Sequence, residues 1–341
     1  MSQKTKRFEI RFSGNGQAHQ GGRNEMEDVM RVIFDAEQAF FAVFDGHGGK
    51  EAAVFAKDFL CANIKKQKGF YSDDATLVMN SIKDGFLATH LDMWKQLDSW
   101  PRTKEGFPST SGTTATVVIL RGRKLYIAHV GDSGAALGLL NKEEKLEAVT
   151  LTTDHKPDVP SEKSRIESLG GKVLLRKRVQ RVAWERPVHQ GHEGPSRRGT
   201  EMEWVPFLAI SRALGDLWSF KQSSNDFIVS PVPDVQVYEI TPGVDKFLII
   251  ASDGLWAVMT VKGVIKFIHN CDAQLGDVSG RLIKEALARW REKDLRADNI
   301  TVIFVQFDEA SKQDLPPGHD NKETCGCEFD QGKEMDNSLK E

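Results

Sequence analysis

The sequence is poor in long apolar runs, in cysteine and in net charge. No stretch of its 341 residues approaches the ~18 consecutive apolar residues that a membrane span requires, so no helical passage through a bilayer is expected. The four cysteines, Cys61, Cys271, Cys325 and Cys327, are too few to frame a chain of this length with disulfides. An intracellular, reducing compartment is therefore expected. Lys and Arg number 46 against 49 Asp and Glu, a net charge of −3, which predicts no general attraction to nucleic acid or to anionic membrane. The opening segment, MSQKTKRFEIRF, is basic but lacks the apolar core of a secretory signal. No repeat of fixed period is visible.

What is present reads as an ordinary globular chain, long enough to bury a substantial core. Apolar runs rich in β-branched and aromatic residues occur at 40–44 (FFAVF), 113–120 (TTATVVIL), 124–130 (KLYIAHV), 247–251 (FLIIA) and 300–305 (ITVIFV). Such runs suggest strands covered on both faces. Residues 29–35 and 8–12 alternate more and suggest half-exposed strands. Between them, 50–66 places Ala53, Phe55, Ala56, Phe59, Leu60 and Ile64 on one side of a helix. Residues 76–97 do the same with Leu77, Ile82, Phe86, Leu87, Leu91 and Trp94, and 161–171 and 278–293 read as further helices. Two segments differ from the rest. Residues 176–199 hold seven Lys or Arg against two Glu, a cationic insert. From 309 onward large apolar residues almost vanish, and a disordered tail over 309–341 is expected.

The strand boundaries carry a pattern of acids. Asp45, Asp132 and Asp253 each stand just past the end of an apolar strand, while Glu27-Asp28 and Asp298 stand just before one. In an antiparallel sheet the start of one strand lies beside the end of its neighbour, so these acids can converge on one edge. Ionised together there, they would repel one another severely. A bound cation resolves this, and all-oxygen donors point to Mg²⁺ or Mn²⁺ rather than Zn²⁺. Any one of these acids could merely cap a turn; the set argues for a site. The glycines Gly46, Gly48 and Gly49 permit unusual backbone angles and close approach of a carbonyl to a metal. His47 lies beside a metal ligand, within reach of a leaving group. Arg23 can offer a two-pronged donor to a phosphate dianion.

Eight motifs now stand in order: Arg23 to Asp28 (RNEMED), Asp45 to Gly49 (DGHGG), Ser111 to Ala115 (SGTTA), Gly131 to Ser133 (GDS), Asp154 to Pro157 (DHKP), Ser211 to Asp216 (SRALGD), Ser252 to Trp256 (SDGLW) and Asp298-Asn299. Together they resemble the metal-dependent Ser/Thr protein phosphatases, the PPM or type 2C family, from about residue 8 to 307. The resemblance implies an α+β fold, a four-layer α-β-β-α sandwich of two antiparallel sheets flanked by helices, with one catalytic domain over 1–308. It also implies hydrolysis of phosphoserine and phosphothreonine by a water activated at a two-metal site. Asp45 would bridge both metals, Asp253 and Asp298 would complete one, and the Gly46 carbonyl would serve the other, with Glu27 and Asp28 acting through water. Arg23 would hold the phosphate and His47 would protonate the leaving oxygen. A cysteine-based route is excluded. The Cys-x₅-Arg loop it needs is absent, since Gln67, Asp277, Gln331 and Lys333 stand six residues after the four cysteines.

Two departures from the family pattern stand out. Ala257 replaces an acid that commonly helps Asp132 and Asp253 hold a weak third metal, and Gly134 replaces an arginine after Gly131-Asp132-Ser133. Stretches such as IKKQKGF at 64–70, AHVGDSG at 128–134, RALGDLWS at 212–219 and LRADN at 295–299 look like the delta, DNA-damage-response branch. There the basic insert forms a flap over the active site and favours substrates with a second negative charge, a role that would involve Arg197 and Arg198 here. That branch implies phosphoprotein partners and a nuclear rather than cytoplasmic location for a monomer. A catalytically weak pseudophosphatase scaffold is the alternative; Asp45, Asp253 and Asp298 speak against it and Ala257 for it.

Overall fold

The computed structural model describes residues 10–35, 38–188, 199–271 and 276–308, and the backbone alone of 329–331. Two sheets face each other. The five-stranded one runs, edge to edge, Asp234–Glu239, Lys124–Val130, Ala115–Arg121, Gln38–Phe44, Val29–Phe34, with every neighbour antiparallel. The six-stranded one runs Phe329–Gln331, Arg11–His19, Ile300–Asp308, Asp245–Ala251, Gly134–Leu140, Leu146–Thr150. Its neighbours are antiparallel except the first pair, where Phe329–Gln331 lies parallel to Gly14–Gly16.

The reason for this layering is visible in one strand. All seven residues of Gln38–Phe44 are buried. Phe40, Ala42 and Phe44 join a core with Ala53, Leu60, Ile64, Ile82 and Phe86 of the helices Glu51–Lys65 and Ala75–Gln96. Ala39, Phe41 and Val43 point the other way, into a core with Leu248, Ile250, Ile303 and Val305 of the facing sheet. The alternation of side chains along a strand thus serves two cores at once, and a continuous apolar run is the only sequence that satisfies both. The far sheet does the same: Ile249, Ala251, Val302 and Phe304 pack on the helices Val261–Asn270 and Val278–Glu292. The result is helix, sheet, sheet, helix. Each large side chain taken fully from water contributes roughly 1.5–3 kcal/mol.

The helices expected over 50–66, 76–97 and 278–293 begin and end within a residue of expectation. The one over 161–171 stops early, at Ser168, and Val261–Asn270 is a helix that the sequence did not announce. Two faces also differ. Phe59 is exposed and stacks on Phe55 at 4.5 Å. In Ala75–Gln96, Leu77, Leu91 and Trp94 are exposed, and the inward stripe is Val78, Ile82, Phe86 and Met93. Helical spacing puts His90 in that stripe, so a basic side chain is buried where leucines one position away are not.

The described part of the cationic insert is largely sheet. Val173–Arg176, Val179–Pro187 and Met202–Leu208 form a three-stranded antiparallel unit. It is seated on Ile166, Ile210, Ala213, Ile228 and Val229 through Val182. Its first hairpin turns through Lys177 (φ 50°) and Arg178 (φ 67°), left-handed positions usually given to Asn-Gly. Arg181 donates to the Phe207 carbonyl and Arg186 to Glu203, so part of the charge is spent inside the unit. Arg197 and Arg198 lie outside the described residues. So does most of 309–341, apart from the short strand at Phe329–Gln331.

Candidate active site

Strand register places the acids. Val29 pairs with Phe44, which sets Asp28 beside Asp45 at one end of the five-stranded sheet. Ala251 pairs with both Val302 and Gly134, which brings Asp253, the approach to Ile300 and the approach to Gly134 to the same end of the other sheet. Asp132 sits on the short link that carries the chain from one sheet to the other, between Val130 and Gly134. Asp28, Asp45, Asp132, Asp253 and Asp298 therefore meet where the two sheets end together. One carboxylate oxygen each from Asp45, Asp132 and Asp253 lies within 4.8 Å of the other two.

Backbone clamps hold them. The Asp45 N–H donates to Thr114 Oγ1 and its carbonyl accepts from Thr114 N and Thr113 Oγ1. Asn299 Oδ1 accepts from Glu27 N, and its amide donates to the carbonyls of Gln20 and Glu25. That one side chain ties the loop bearing Arg23 and Glu27 to Asp298. Gly131 exchanges two hydrogen bonds with His155, which in turn meets Asp234 at 3.2 Å. His129, His155 and Asp234 are close enough to hold a metal. His155 Nδ1 and Nε2 and His129 Nε2 are already engaged there, with Gly131, Asp234 and the Thr153 carbonyl, so the group reads as a brace for Asp132.

The electrostatics carry the signature anticipated from the sequence. Desolvation, opposed by hydrogen bonds from Ser252 and Thr301, raises the Asp28 pKa to about 6, with Asp298 adding to the rise. Desolvation and the charges of Asp132, Asp298 and Asp28 raise Asp253 to about 7. Asp45 is pushed well above the usual carboxylate range by burial and by the four acids around it. Such a cluster is stable in its ionised form only beside positive charge. The donors are all oxygen, so these residues fit a hard divalent cation. One cation is built in: Lys156 donates its ammonium to Asp132. Ala257 is exposed and offers no ligand.

Gly46 is buried between Asp45 and His47, and only a residue without a side chain fits there: a Cβ would stand 2.5 Å from the Glu27 carbonyl oxygen. The left-handed turn falls instead to Gly48 (φ 66°). Glu27 accepts from Gly49 N at 2.8 Å, Asp28 accepts from Thr301 Oγ1 at 2.9 Å, and Arg23 is paired with Asp298 at the rim. Arg23 and Asp298 are thus together, with Arg23 half exposed.

His47 has a partner that the sequence did not announce. Its Nε2 lies 2.7 Å from Asp216 Oδ2. A carboxylate only accepts, so Nε2 donates and Nδ1 is left to carry a transferable proton. Desolvation opposes the charged imidazole, but Asp216, with Asp132 and Glu27 beyond it, outweighs that and holds its pKa above the ordinary value. Asp216 is fully buried, and its other oxygen accepts from Trp218 Nε1 at 2.7 Å. The sequence placed Asp216 in a motif without a role. The contact spans 169 positions and depends on a left-handed Asp216 (φ 50°), which no local pattern signals. Lys156 escaped notice likewise, as one lysine in a motif beside a proline.

Comparison with known proteins bears on the family and the fold. The family profile described as Protein phosphatase 2C matches residues 12–295. Among curated relatives, "Protein phosphatase 2C homolog 2" of Hypocrea jecorina is 34% identical over 79% of this chain and 53% of its own length. "Protein phosphatase 1A" of Bos taurus is 29% identical over 91% of this chain and 75% of its own length. The chain thus spans about half the length of the first of these relatives. Among solved structures, a serine-threonine phosphatase 2C from Toxoplasma gondii superposes with a TM-score of 0.66 at 24% identity, covering 87% of this chain and 95% of that one. A C. elegans sex determining protein superposes with a TM-score of 0.65 at 20% identity, covering 87% and 64%. These two likenesses bear on the fold.

Proposed function

Because the chain belongs to the protein phosphatase 2C family, whose members are metal-dependent, we propose that it hydrolyses phosphoserine and phosphothreonine in proteins with two divalent cations, Mg²⁺ or Mn²⁺. Asp45, the Gly46 carbonyl, Asp253 and Asp298 would hold them, Glu27 and Asp28 would act through water, and Asp132 would serve a weaker third position. When bound, such ions lower the pKa of a coordinated water and neutralise charge on phosphoryl oxygens. Arg23, freed from Asp298 by an arriving dianion, would grip the phosphate with two parallel hydrogen bonds. His47 would give the Nδ1 proton to the departing seryl or threonyl oxygen, a contribution of ~10²–10⁴-fold. The observation that carries the reading is the meeting of five acids from both sheets at one buried edge. The pseudophosphatase alternative is not favoured, since Asp45, Asp253 and Asp298 are all in place.

Within the family we assign the chain to the delta-like, DNA-damage-response branch, acting as a nuclear monomer on phosphoproteins with a second anionic group near the scissile phosphate. The cationic three-stranded unit supports this, joined as it is to the active site through aromatic contacts. The test is a metal-depleted assay on phosphopeptides, with Mg²⁺ or Mn²⁺ restored and Asp253→Ala run alongside. Activity should return with the cation in wild type only; turnover without added cation, or in the variant, would end the proposal. Phosphothreonine-x-phosphotyrosine peptides should be preferred, and indifference to the second phosphate would remove the branch assignment.

A further inference from the structure

We propose that Trp218 is a positioning residue through which the three-stranded cationic unit sets the catalytic geometry of His47, so that substrate seating and proton donation are coupled. The proposal rests on the reading of His47 as the proton donor.

The connection is continuous. The Trp218 indole donates to Asp216 Oδ1 and Asp216 Oδ2 accepts from His47 Nε2, each at 2.7 Å. Both oxygens of a fully buried carboxylate are thereby taken, one by each ring, and the plane of the carboxylate is fixed between them. The cradle is tight on its third side: a Cβ at Gly112 would fall 2.1 Å from Asp216 Oδ2 and 2.4 Å from His47 Nε2. Trp218 in turn touches the cationic unit. Its ring centroid is 5.0 Å from Phe207, edge to face, and 5.8 Å from Trp184. Phe107 closes over Trp184 at 5.2 Å.

The unit is built to make that contact. Val182 pairs with Leu208 but Ala183 with Pro206, so Phe207 is the extra residue of a β-bulge. A bulge re-aims a side chain and recurs beside active sites; here it turns Phe207 onto Trp218. Trp184 follows two residues after Val182, the anchor of the unit on the domain. The same sheet carries Lys177 and Arg178 at its far hairpin. Movement of the sheet as an anionic substrate engages that hairpin displaces the Phe207 and Trp184 rings. Trp218 links them to the carboxylate that orients the imidazole. A phosphate bound without engaging the unit would meet a proton donor less well aimed. Hydrolysis then proceeds with the water oxygen bonding to phosphorus while the P–O bond electrons pass to the leaving oxygen, which takes its proton only afterwards, from solvent.

Leaving-group dependence tests this. A phosphothreonine peptide needs a proton at its alkoxide; 4-nitrophenyl phosphate, with a stable phenolate, does not. Trp218→Phe keeps the ring and removes the donor. It should lower kcat on the peptide about tenfold with KM unchanged, and turnover of the aryl ester less than threefold. Trp184→Ala should give the same contrast at smaller amplitude. His47→Gln sets the scale with the largest contrast. Equal losses on both substrates in Trp218→Phe, against a preserved contrast in His47→Gln, would overturn the coupling. A His47→Gln protein with no contrast would overturn the donor role beneath it. The metal-free protein gives a readout independent of turnover: the His47 Nε2–H held by Asp216 should give a downfield proton resonance, abolished in Asp216→Asn and shifted in Trp218→Phe. An unmoved resonance in Trp218→Phe would also overturn the proposal.

Discussion

Lys156 donates to Asp132 on the link between the two sheets, and burial opposes the lysine's charge while Asp132, Asp154 and Asp253 favour it. This ammonium is a cation built into the site, so part of the charge balance there does not depend on a bound metal.

Lys156→Met therefore leaves Asp132 without its counter-charge. With the lysine side chain 36% exposed, the expected loss is modest, about 1–2 kcal/mol in metal-free buffer. Thermal unfolding against Mn²⁺ concentration should show the variant recovering to the wild-type Tm as a cation takes over the role. A deficit that persists at saturating Mn²⁺ would show that the lysine matters for packing alone.

Gly112→Ala should act on the acid pair and spare the metal ligands. The added carbon collides with both Asp216 and His47, and one of them must leave. We expect kcat on a phosphopeptide to fall on the order of 10²-fold, while Mn²⁺ affinity by calorimetry stays within about twofold. A parallel loss of cation affinity would place the damage in the site as a whole.

His90 predicts an acid limb in stability. It is buried, neither ring nitrogen has a hydrogen-bond partner among the described residues, and its ring centroid lies 4.2 Å from that of Phe227 in a T-shaped contact. Desolvation lowers its pKa to about 3, against ~6.5 in an unfolded chain. Below pH 6.5 the unfolded chain takes up a proton that the folded one refuses, so stability falls as pH drops from 6.5 toward 3. The cost reaches ~2 kcal/mol by pH 5. In urea unfolding at pH 7 and pH 5, His90→Leu should escape that share of the loss; identical losses in both proteins would mean that water reaches the ring.

The hairpin at Lys177-Arg178 trades stability for charge. Two non-glycine residues in left-handed conformation cost about 1 kcal/mol or more each. Replacing them with Asn-Gly should raise Tm by a few degrees and raise KM several-fold for doubly phosphorylated peptides, with singly phosphorylated ones little changed. A stabler protein with unaltered KM would take the hairpin out of recognition.

Much of this was readable in advance, for a physical reason. Strands such as Lys124–Val130 are buried on both faces, so their composition is extreme and their limits stand out. The acids at their ends follow from register once the strands are placed. The hidden parts depend on contacts between distant segments. Leu77 and Leu91 look like core, yet helix rotation buries Val78 and His90 instead. Strand Gly134–Leu140, small and glycine-bearing, gave no apolar run. Residues 176–199 read only as a cationic insert, because Arg176, Arg181 and Arg186 are matched by the carbonyls of Pro206 and Phe207 and by Glu203, which no local window contains.

The two-way alternation of Gln38–Phe44 also makes that strand a reading frame. Loss of a single residue between Ala39 and Val43 would send every following side chain to the opposite layer, handing the aromatic rings meant for the helices to the inter-sheet space. Asp45, next in line, would swing away from its four companions. Chemistry at this edge is thus indexed by counting along a strand that takes no part in it.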